Sequence, residues 1–246
     1  MINKIYIILP VYNEGESVYN LLVKYKNFFT NSCSILHEII IINDSSKDDT
    51  ENWILKAKDE LNSLNINYKK HEENKGLQGA LSTGFSMIKD NLRENNVVVT
   101  MDSDDTHNPY LIREMLNKIN EGSDIVIASR YCEQSRIHGL SNFRAFLSLG
   151  ARYLYTIKWN IKGVKDYTCG FRAYKSWLIK ESVNYHGENF IQEKGFTVTA
   201  EILKKMSMFN PIIVEIPMIL TYSNKSNLSN MNILKTIKLT LKMLFK

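Results

Sequence analysis

Short apolar runs alternate with longer amphipathic stretches along the first half of the 246-residue chain. Most of these runs are rich in β-branched residues and carry no charge in their centres, which is typical of strands buried on both faces of a sheet. They predict strands at 4–9, 38–42, 66–71, 97–101 and 124–129, each followed by a helical stretch. Because parallel strands need crossover connections, this α/β alternation predicts a doubly wound, mostly parallel sheet flanked by helices.

The second half of the chain is less regular. Its pattern predicts helices at about 140–159, 175–184 and 196–208, and a final strand at 211–219. Pro217 lies inside that strand and has no amide hydrogen to donate, so we expect the strand at a sheet edge. No internal repeat or linker-like segment divides the chain. We therefore expect a catalytic domain at residues 1–222 and a helical extension at residues 223–246.

The extension predicts a basic amphipathic helix at its end. Its apolar positions recur at helical spacing and its lysines lie off that stripe. Such a helix binds an anionic membrane surface, or else docks on its own domain or on a second subunit. The apolar and basic positions are Ile233, Ile237, Leu241 and Leu244, and Lys235, Lys238, Lys242 and Lys246.

Polar residues follow four of the predicted strands, at 12–14, 43–45, 102–104 and at Arg130. The carboxyl ends of parallel strands meet at one edge of a sheet, and open α/β sheets bind their ligands there. We therefore expect one shared ligand site.

Two carboxylates follow the fourth strand at Asp102 and Asp104. In extended chain they point the same way, and two hard oxygen ligands suit Mg²⁺ or Mn²⁺, with a substrate diphosphate completing the shell. The alternative is an acidic loop capping a helix that begins near Pro109, a role open to Asp105 or Thr106.

Composition excludes several classes of protein. The formal charge of +5 is too small for a nucleic-acid footprint on its own but fits anionic substrates or lipids. Three widely spaced cysteines argue for a reducing compartment, and we find neither a signal peptide nor an apolar run long enough to cross a bilayer. The chain also lacks G-x-G-x-x-G after its first strand and any P-loop, so a nucleotide-sugar enzyme fits better than a redox enzyme or an NTPase.

In its motifs the chain resembles the family 2 glycosyltransferases with the GT-A fold. Within them it is most similar to dolichol-phosphate mannosyltransferases and the bacterial polyprenyl-phosphate glycosyltransferases. The matching motifs keep family order and spacing over nearly the whole chain. They are Pro10-Val11-Tyr12-Asn13-Glu14, Asn43-Asp44-Ser45-Ser46 with Asp48-Asp49-Thr50, Asn74-x-Gly76-x-x-Gly79-Ala80, Asp102-Ser103-Asp104 with His107-x-Pro109, Ser129-Arg130-Tyr131, and Asp166-x-Thr168-x-Gly170-Phe171-Arg172.

The resemblance implies a role for each motif. It assigns the base and ribose to the first two motifs, the metal to the acidic motif, and the donor diphosphate or acceptor phosphate to the arginines. Asp166 is also a candidate general base, with Glu193 and Glu201, for a hydroxyl acceptor. The implied residues are Pro10, Tyr12, Glu14, Asn43, Asp44 and Asp102 for the nucleotide, Asp102, Asp104 and Thr106 for the metal, Arg130 and Asp166 for catalysis, and Arg144, Ser148 and Arg172 for the acceptor.

Other interpretations of these residues stay open. Tyr12 fits a core position, and Gly76 with Gly79 fits a turn. Either Arg130 or Arg172 could be a structural ion-pair partner of Asp166. The helix face that carries Arg144, Ser148 and Arg152 at four-residue spacing could simply be solvated, and His107 fits a packing or capping role.

The implied reaction is inverting transfer of a sugar from a UDP- or GDP-linked donor to polyprenyl phosphate, at the cytoplasmic membrane face. One departure favours an alternative acceptor, a saccharide or a lipid-linked sugar in cell-surface glycan synthesis. Relatives in this branch carry an Arg and then Gly-x-Ser-Lys after the last strand, where this chain has Thr221–Met231 with Asn230 in place of the Lys. A nucleotide-binding subunit without turnover is a third interpretation. A homodimer or a membrane-subunit partner is also compatible with the sequence.

Overall fold

The computed structural model describes residues 1–139, 142–195, 197–221 and 233–244, and gives only the backbone of 142–146, 221 and 233–236. Strands and helices alternate from the start. The strands are β1 (Lys4–Val11), β2 (Leu36–Asn43), β3 (Ile66–Lys70), β4 (Asn96–Thr100), β5 (Ile125–Ser129), β6 (Arg136–His138), β7 (Arg172–Lys175), β8 (Ile213–Pro217) and β9 (Ile219–Thr221). The α-helices are α1 (Glu16–Asn31), α2 (Thr50–Glu60), α3 (Gly76–Ile88), α4 (Leu111–Asn120), α5 (Asn142–Trp159), α6 (Ser176–His186), α7 (Thr197–Ser207) and α8 (Ile233–Leu244).

The main sheet has seven strands in the order β3-β2-β1-β4-β7-β5-β8. Its strand pairs are parallel except that β7 runs antiparallel to both of its neighbours, β4 and β5. The predicted α/β, mostly parallel sheet flanked by helices is therefore confirmed. A second, two-stranded sheet pairs β6 with β9.

Burial in the core explains why the strands of the first half could be predicted from the sequence. β4 and β5 are buried along their whole length, and β1 and β2 are buried over most of theirs. A strand covered on both faces needs apolar residues at consecutive positions, and the sequence shows this as an unbroken run. Gly84 of α3 lets that helix approach β1 closely, since a Cβ added there would lie 2.5 Å from Cγ2 of Ile8.

Strand β7 was missed because its sequence, Arg172–Lys175, is not an apolar run. The predicted edge strand at 211–219 divides instead into β8 and β9 on either side of Met218. β8 ends at Pro217 and forms one edge of the main sheet, as expected from the proline.

The C-terminal helix forms, but the predicted apolar stripe does not face one way. Thr240 and Leu244 are buried, whereas Ile237 and Leu241 are exposed. The reason is that α8 packs against α5 and α7 through the Thr240 side. None of the helices in the described parts of the chain is both long and apolar enough to cross a membrane. Residues 222–232, which include most of the departing segment Thr221–Met231, lie outside the described residues.

We expect Gly84→Ala to lower the free energy of unfolding by about 1–2 kcal/mol, because the added methyl meets Ile8 in a buried strand. Gly150→Ala is the matched control, since it also lies within a helix but has no described atom within 4 Å of its added Cβ. That change should raise stability by up to about 1 kcal/mol through helix propensity. Urea midpoints at constant slope measure both. Equal effects of the two substitutions would contradict the proposed close contact.

Candidate active site

The loops that follow β1, β2 and β4 meet at the carboxyl edge of the sheet, because these three strands are neighbours. The hydroxyl of Ser103 donates to the carbonyl of Pro10 at 2.7 Å. The amide of Asp44 donates to the carbonyl of Val11 at 2.8 Å. Three of the polar segments predicted to share a site are thus joined directly.

The loop after β1 is held by side chains of the β2–α2 loop. The amide of Asn13 donates to Oγ of Ser46 at 3.0 Å, and the amides of residues 14 and 15 donate to Oγ1 of Thr50 at 2.9 and 2.8 Å. Thr50 in turn donates to Asp48 at 2.5 Å. These bonds hold the loop that carries Tyr12, which is half-buried and so does not belong to the core.

Asn43 lies at the end of β2 and is completely buried. Its side-chain amide donates to the hydroxyl of Tyr68 at 3.1 Å, and its Oδ1 accepts from the amide of Ser46 at 2.9 Å. In this arrangement Asn43 shapes the wall of the loop. Its role at the base edge stays a prediction.

Asp44 is also buried, and its carboxylate bonds to the start of α3. It accepts from the amides of Lys75 and Gly76 at 2.8 and 2.7 Å, and lies 2.7 Å from Nδ1 of His71. The other ring nitrogen of His71 lies 2.9 Å from Oγ1 of Thr83. Asp44 therefore fixes the turn into α3, which agrees with a turn-shaping role for Gly76. Sequence reasoning missed His71, whose only signal was its position directly after β3.

Asp102 and Asp104 differ in their surroundings. The side chain of Asp102 is 43% exposed. Asp104 is buried, and its Oδ1 accepts from the amide and the hydroxyl of Thr106 at 3.2 and 2.6 Å. A Cβ added to Gly170 would lie 3.3 Å from Oδ1 of Asp102, so the absence of a side chain at Gly170 leaves space for the Asp102 carboxylate.

The alternative that Asp105 or Thr106 caps helix α4 is wrong. Asp105 turns towards Lys24, at 2.7 Å, and burial raises the pKa of its carboxyl. The hydroxyl of Thr106 donates to Asp104 instead. The amide of Tyr110, just before α4, donates to Oδ1 of Asn108.

The packing interpretation of His107 agrees with the structure. Its buried ring meets Phe171 edge-on, with the ring centroids 5.4 Å apart. Its Nε2 lies 3.6 Å from Oδ2 of Asp102, which is too long for a hydrogen bond.

The acidic pair fits a hard divalent cation of which the protein supplies only part of the shell. Among the residues that the structure describes, no three His, Cys, Asp or Glu side chains cluster so as to hold a metal alone. Mg²⁺ is commonly held by one or two carboxylates together with substrate phosphates and water. Asp102 and Asp104 match that pattern, and both offer oxygen, which Mg²⁺ and Mn²⁺ prefer.

Arg130 follows β5 and is the ion-pair partner of Asp166. Its Nε and one terminal nitrogen donate to the two carboxylate oxygens at 2.8 and 2.6 Å, and the same nitrogen donates to Oγ1 of Thr168 at 2.6 Å. Asp166 is completely buried and also accepts from the amide of Cys169 at 3.0 Å. Burial alone would raise the pKa of Asp166, but the Arg130 charge and hydrogen bonds outweigh it and hold the pKa below its usual value.

Arg172 lies inside the protein. It is completely buried, and its guanidinium donates to the carbonyls of Thr199 and Tyr167 at 2.6 and 2.7 Å. It therefore holds the 166–171 loop against α7 and does not face the opening in this structure. The backbone of Arg144 lies near the start of α5, and its side chain is outside the described residues.

Tyr131 joins the loop after β5 to α5. Its hydroxyl lies 2.6 Å from Oγ of Ser148. The guanidinium carbons of Arg130 and Arg152 lie 5.7 and 4.7 Å from the centre of its ring. The helix face carrying Ser148 and Arg152 is thus turned towards the strand-end loops and not wholly to solvent. Tyr131 belongs to the motif Ser129-Arg130-Tyr131, but the sequence does not predict which residues its ring contacts.

Replacing Arg130 by Met should lower the free energy of unfolding at neutral pH by about 3–5 kcal/mol, because it leaves Asp166 buried and unpaired. In the wild type the lowered pKa means that this pair stabilises the fold above the usual Asp pKa and is lost only as pH falls through the lower folded value. In the variant burial raises the pKa of Asp166, so its destabilisation grows as pH rises. Denaturation at pH 4.5 and 7.5 should therefore show a larger deficit at pH 7.5. The exposed Arg113→Met is the control, and a deficit independent of pH would refute this account.

Comparison with known proteins shows the family to which the chain belongs. The family model for glycosyl transferase family 2 matches residues 6–184. A dolichol-phosphate mannosyltransferase of Pyrococcus furiosus is 31% identical over 87% of this chain and 55% of its own length. An undecaprenyl-phosphate 4-deoxy-4-formamido-L-arabinose transferase of Klebsiella pneumoniae is 29% identical over 75% of this chain and 53% of its own length. The chain thus spans about half the length of these curated relatives.

A solved structure gives the same fold. It is glucosyl-3-phosphoglycerate synthase from Mycobacterium tuberculosis in complex with Mn²⁺, UDP and glucosyl-3-phosphoglycerate. It superposes with a TM-score of 0.62 at 15% identity, over 98% of this chain and 77% of its own. The expected GT-A fold is confirmed, and with more than half of the sequence matched by the family model, the chain belongs to glycosyl transferase family 2.

Proposed function

We propose that this chain is the catalytic part of an inverting glycosyltransferase that moves a sugar from a UDP- or GDP-linked donor to polyprenyl phosphate. The observation that carries the proposal is that the acidic loop with Asp102 and Asp104, the fixed loop after β1 and Arg130 all lie at one sheet edge. The names of the curated relatives support the donor and acceptor classes. The nucleotide lies against Pro10, Tyr12 and Glu14, next to the wall formed by Asn43 and Asp44.

Charge governs the chemistry that these residues perform. Asp102 and Asp104 hold Mg²⁺ or Mn²⁺, which as a Lewis acid offsets the charge of the departing diphosphate. The hydrogen bond from Thr106 keeps Asp104 oriented. Arg130 and its buried partner Asp166 stiffen the loop beside the acids, so the positive guanidinium is fixed before the donor arrives.

The described contacts favour a phosphate acceptor over a sugar hydroxyl. A phosphate monoester is already an anion at neutral pH, whereas a hydroxyl needs a general base. Of the three candidate bases, two are engaged in hydrogen bonds within the protein, and Glu193 stays the candidate for a hydroxyl acceptor. Asp166 bonds to Arg130, and Glu201 accepts from the amides of Gln192 and Glu193 at 2.9 and 2.7 Å. Both are buried and engaged in holding loops.

The second candidate function keeps the donor and exchanges the acceptor for a saccharide or a lipid-linked sugar. It is favoured by the segment Thr221–Met231, where Asn230 stands in place of the family's Lys and Asn224 or Lys225 in place of its Arg. A non-catalytic nucleotide-binding subunit is less consistent with the intact acidic pair.

Exposed apolar residues on α5 and, separately, on α8 support attachment to the cytoplasmic face of an anionic membrane. Ile157 on α5 is 81% exposed, and Leu149 and Tyr153 precede it at four-residue spacing and are also exposed. On α8 the exposed Ile237 and Leu241 stand beside Lys238 and Lys242. Apolar residues bordered by lysines suit an anionic bilayer surface. A second copy or a membrane subunit would be an alternative occupant, and flotation with anionic but not neutral vesicles would favour the bilayer.

The test is transfer of labelled sugar from UDP- and GDP-linked donors, with Mn²⁺, to undecaprenyl or dolichyl phosphate and to a panel of saccharides. We expect product only on the polyprenyl phosphate, and a loss of at least about a hundredfold in Asp104→Asn because a ligand to the metal is lost. The exposed Asp59→Asn is the matched control. Transfer to saccharides alone would favour the second candidate, and turnover that survives loss of both Asp102 and Asp104 would overturn the proposed mechanism.

A further inference from the structure

Helix α1 packs along the loop that joins β4 to α4 and carries the two proposed metal ligands. The hydroxyl of Tyr25 donates to the sulfur of Met101, where this loop begins, at 3.5 Å. The ring of Phe28 meets that of Tyr110, where the loop ends, with the centroids 5.6 Å apart. Because α1 follows directly on the fixed loop after β1, this one helix connects the proposed nucleotide loop to the proposed metal loop.

Lys24 of the same helix contacts the middle of the loop. Its Nζ donates to both carboxylate oxygens of Asp105 at 2.7 Å. The side chain of Asp105 is 9% exposed and that of Lys24 is 39% exposed. Within the described part of the chain, Asp105 has no other cationic partner. If the pair is broken, the ammonium can therefore turn to water, whereas the carboxylate is left buried and unpaired.

The backbone at Asp105 links this ion pair to a proposed metal ligand. The φ of Asp105 is 58°, in the left-handed region, which is unfavourable for most residues and better tolerated by Asp and Asn. Asp104 directly precedes it, and Oδ1 of Asp104 accepts from the amide and the hydroxyl of Thr106, which directly follows. A change of backbone conformation at Asp105 would therefore reorient Asp104 and break its bonds to Thr106.

Two effects of Lys24 on a bound metal have opposite signs. By charge alone, removing a cation near the acidic pair would strengthen the binding of a divalent cation. By shape, removing it leaves the Asp105 carboxylate without a partner, and this carboxylate reaches water only if the loop changes its path. We propose that Lys24 is a positioning residue which, through Asp105, holds the loop in the shape that lets the acidic pair bind the divalent cation of the donor complex. This assignment rests on the proposed function.

Calorimetric titration with UDP and GDP, with Mn²⁺ in excess, measures the dissociation constant of whichever nucleotide the wild type binds. Lys24→Met should raise this constant at least about tenfold, or about 1.4 kcal/mol. The double variant Lys24→Met, Asp105→Asn should return close to the wild-type value, because a neutral amide needs no cation and Asn tolerates the same φ. Lys24→Arg should also bind, since the charge is kept. Lys26→Met is the control, because Lys26 lies on the same helix without an ion pair to any described residue.

Each other outcome overturns the assignment in a different way. Unchanged affinity in Lys24→Met refutes the role of Lys24, and tighter binding would show that Lys24 acts only as a repelling charge. Weak binding that Asp105→Asn does not restore would show that Lys24 supports the fold through other contacts. If Lys24→Met alone does not fold, the double variant carries the test, since it must then fold and bind. A wild type that binds neither nucleotide with Mn²⁺ would overturn the proposed function together with this inference.

Discussion

The position of the antiparallel strand β7 is the constraint on which the site depends. An antiparallel strand begins where its parallel neighbours end, so β7 starts at the carboxyl edge of the sheet. The preceding loop, 166–171, is thereby delivered between the end of β4 and the end of β5. Gly170 then stands against Asp102, and Asp166 meets Arg130. Arg172, the first residue of β7, secures the loop from within by bonding to carbonyls of the loop and of α7.

Short polar side chains do the same work in the first half of the chain. Thr50 and Asp44 each accept from two backbone amides of another loop, and so fix turns that would otherwise leave buried amides unsatisfied. The side chains of the motif Asn43–Thr50 therefore serve in large part to hold neighbouring loops in place. Charge follows a similar logic, since Arg130 is matched by Asp166 and Asp105 by Lys24. Asp102, by contrast, keeps an exposed side chain at the end of β4.

Apolar patterning predicted the parallel strands because each is covered on both faces. It did not predict β7, where burial of Arg172 depends on carbonyls that only the folded loop supplies. It also misjudged α8, because spacing alone does not show whether the stripe with Ile237 or the side with Thr240 packs on the domain. The motifs predicted that the loops after β1, β2 and β4 lie together at the sheet edge, but the side chain of Arg172, which they assigned to the acceptor, is buried inside the protein. They did not predict partners such as His71 for Asp44, or Arg152 above Tyr131, because these contacts join elements distant in sequence.

The central claim is that Asp102 and Asp104 hold a metal that joins the protein to a donor diphosphate. Thermal unfolding with UDP or GDP, each with and without Mn²⁺, tests it most directly on the wild type and Asp104→Asn. A nucleotide at about 100 times its dissociation constant should stabilise the wild type by about 2.7 kcal/mol. The account predicts this shift only with Mn²⁺ and only in the wild type. Stabilisation that persists without metal, or in Asp104→Asn, would contradict it.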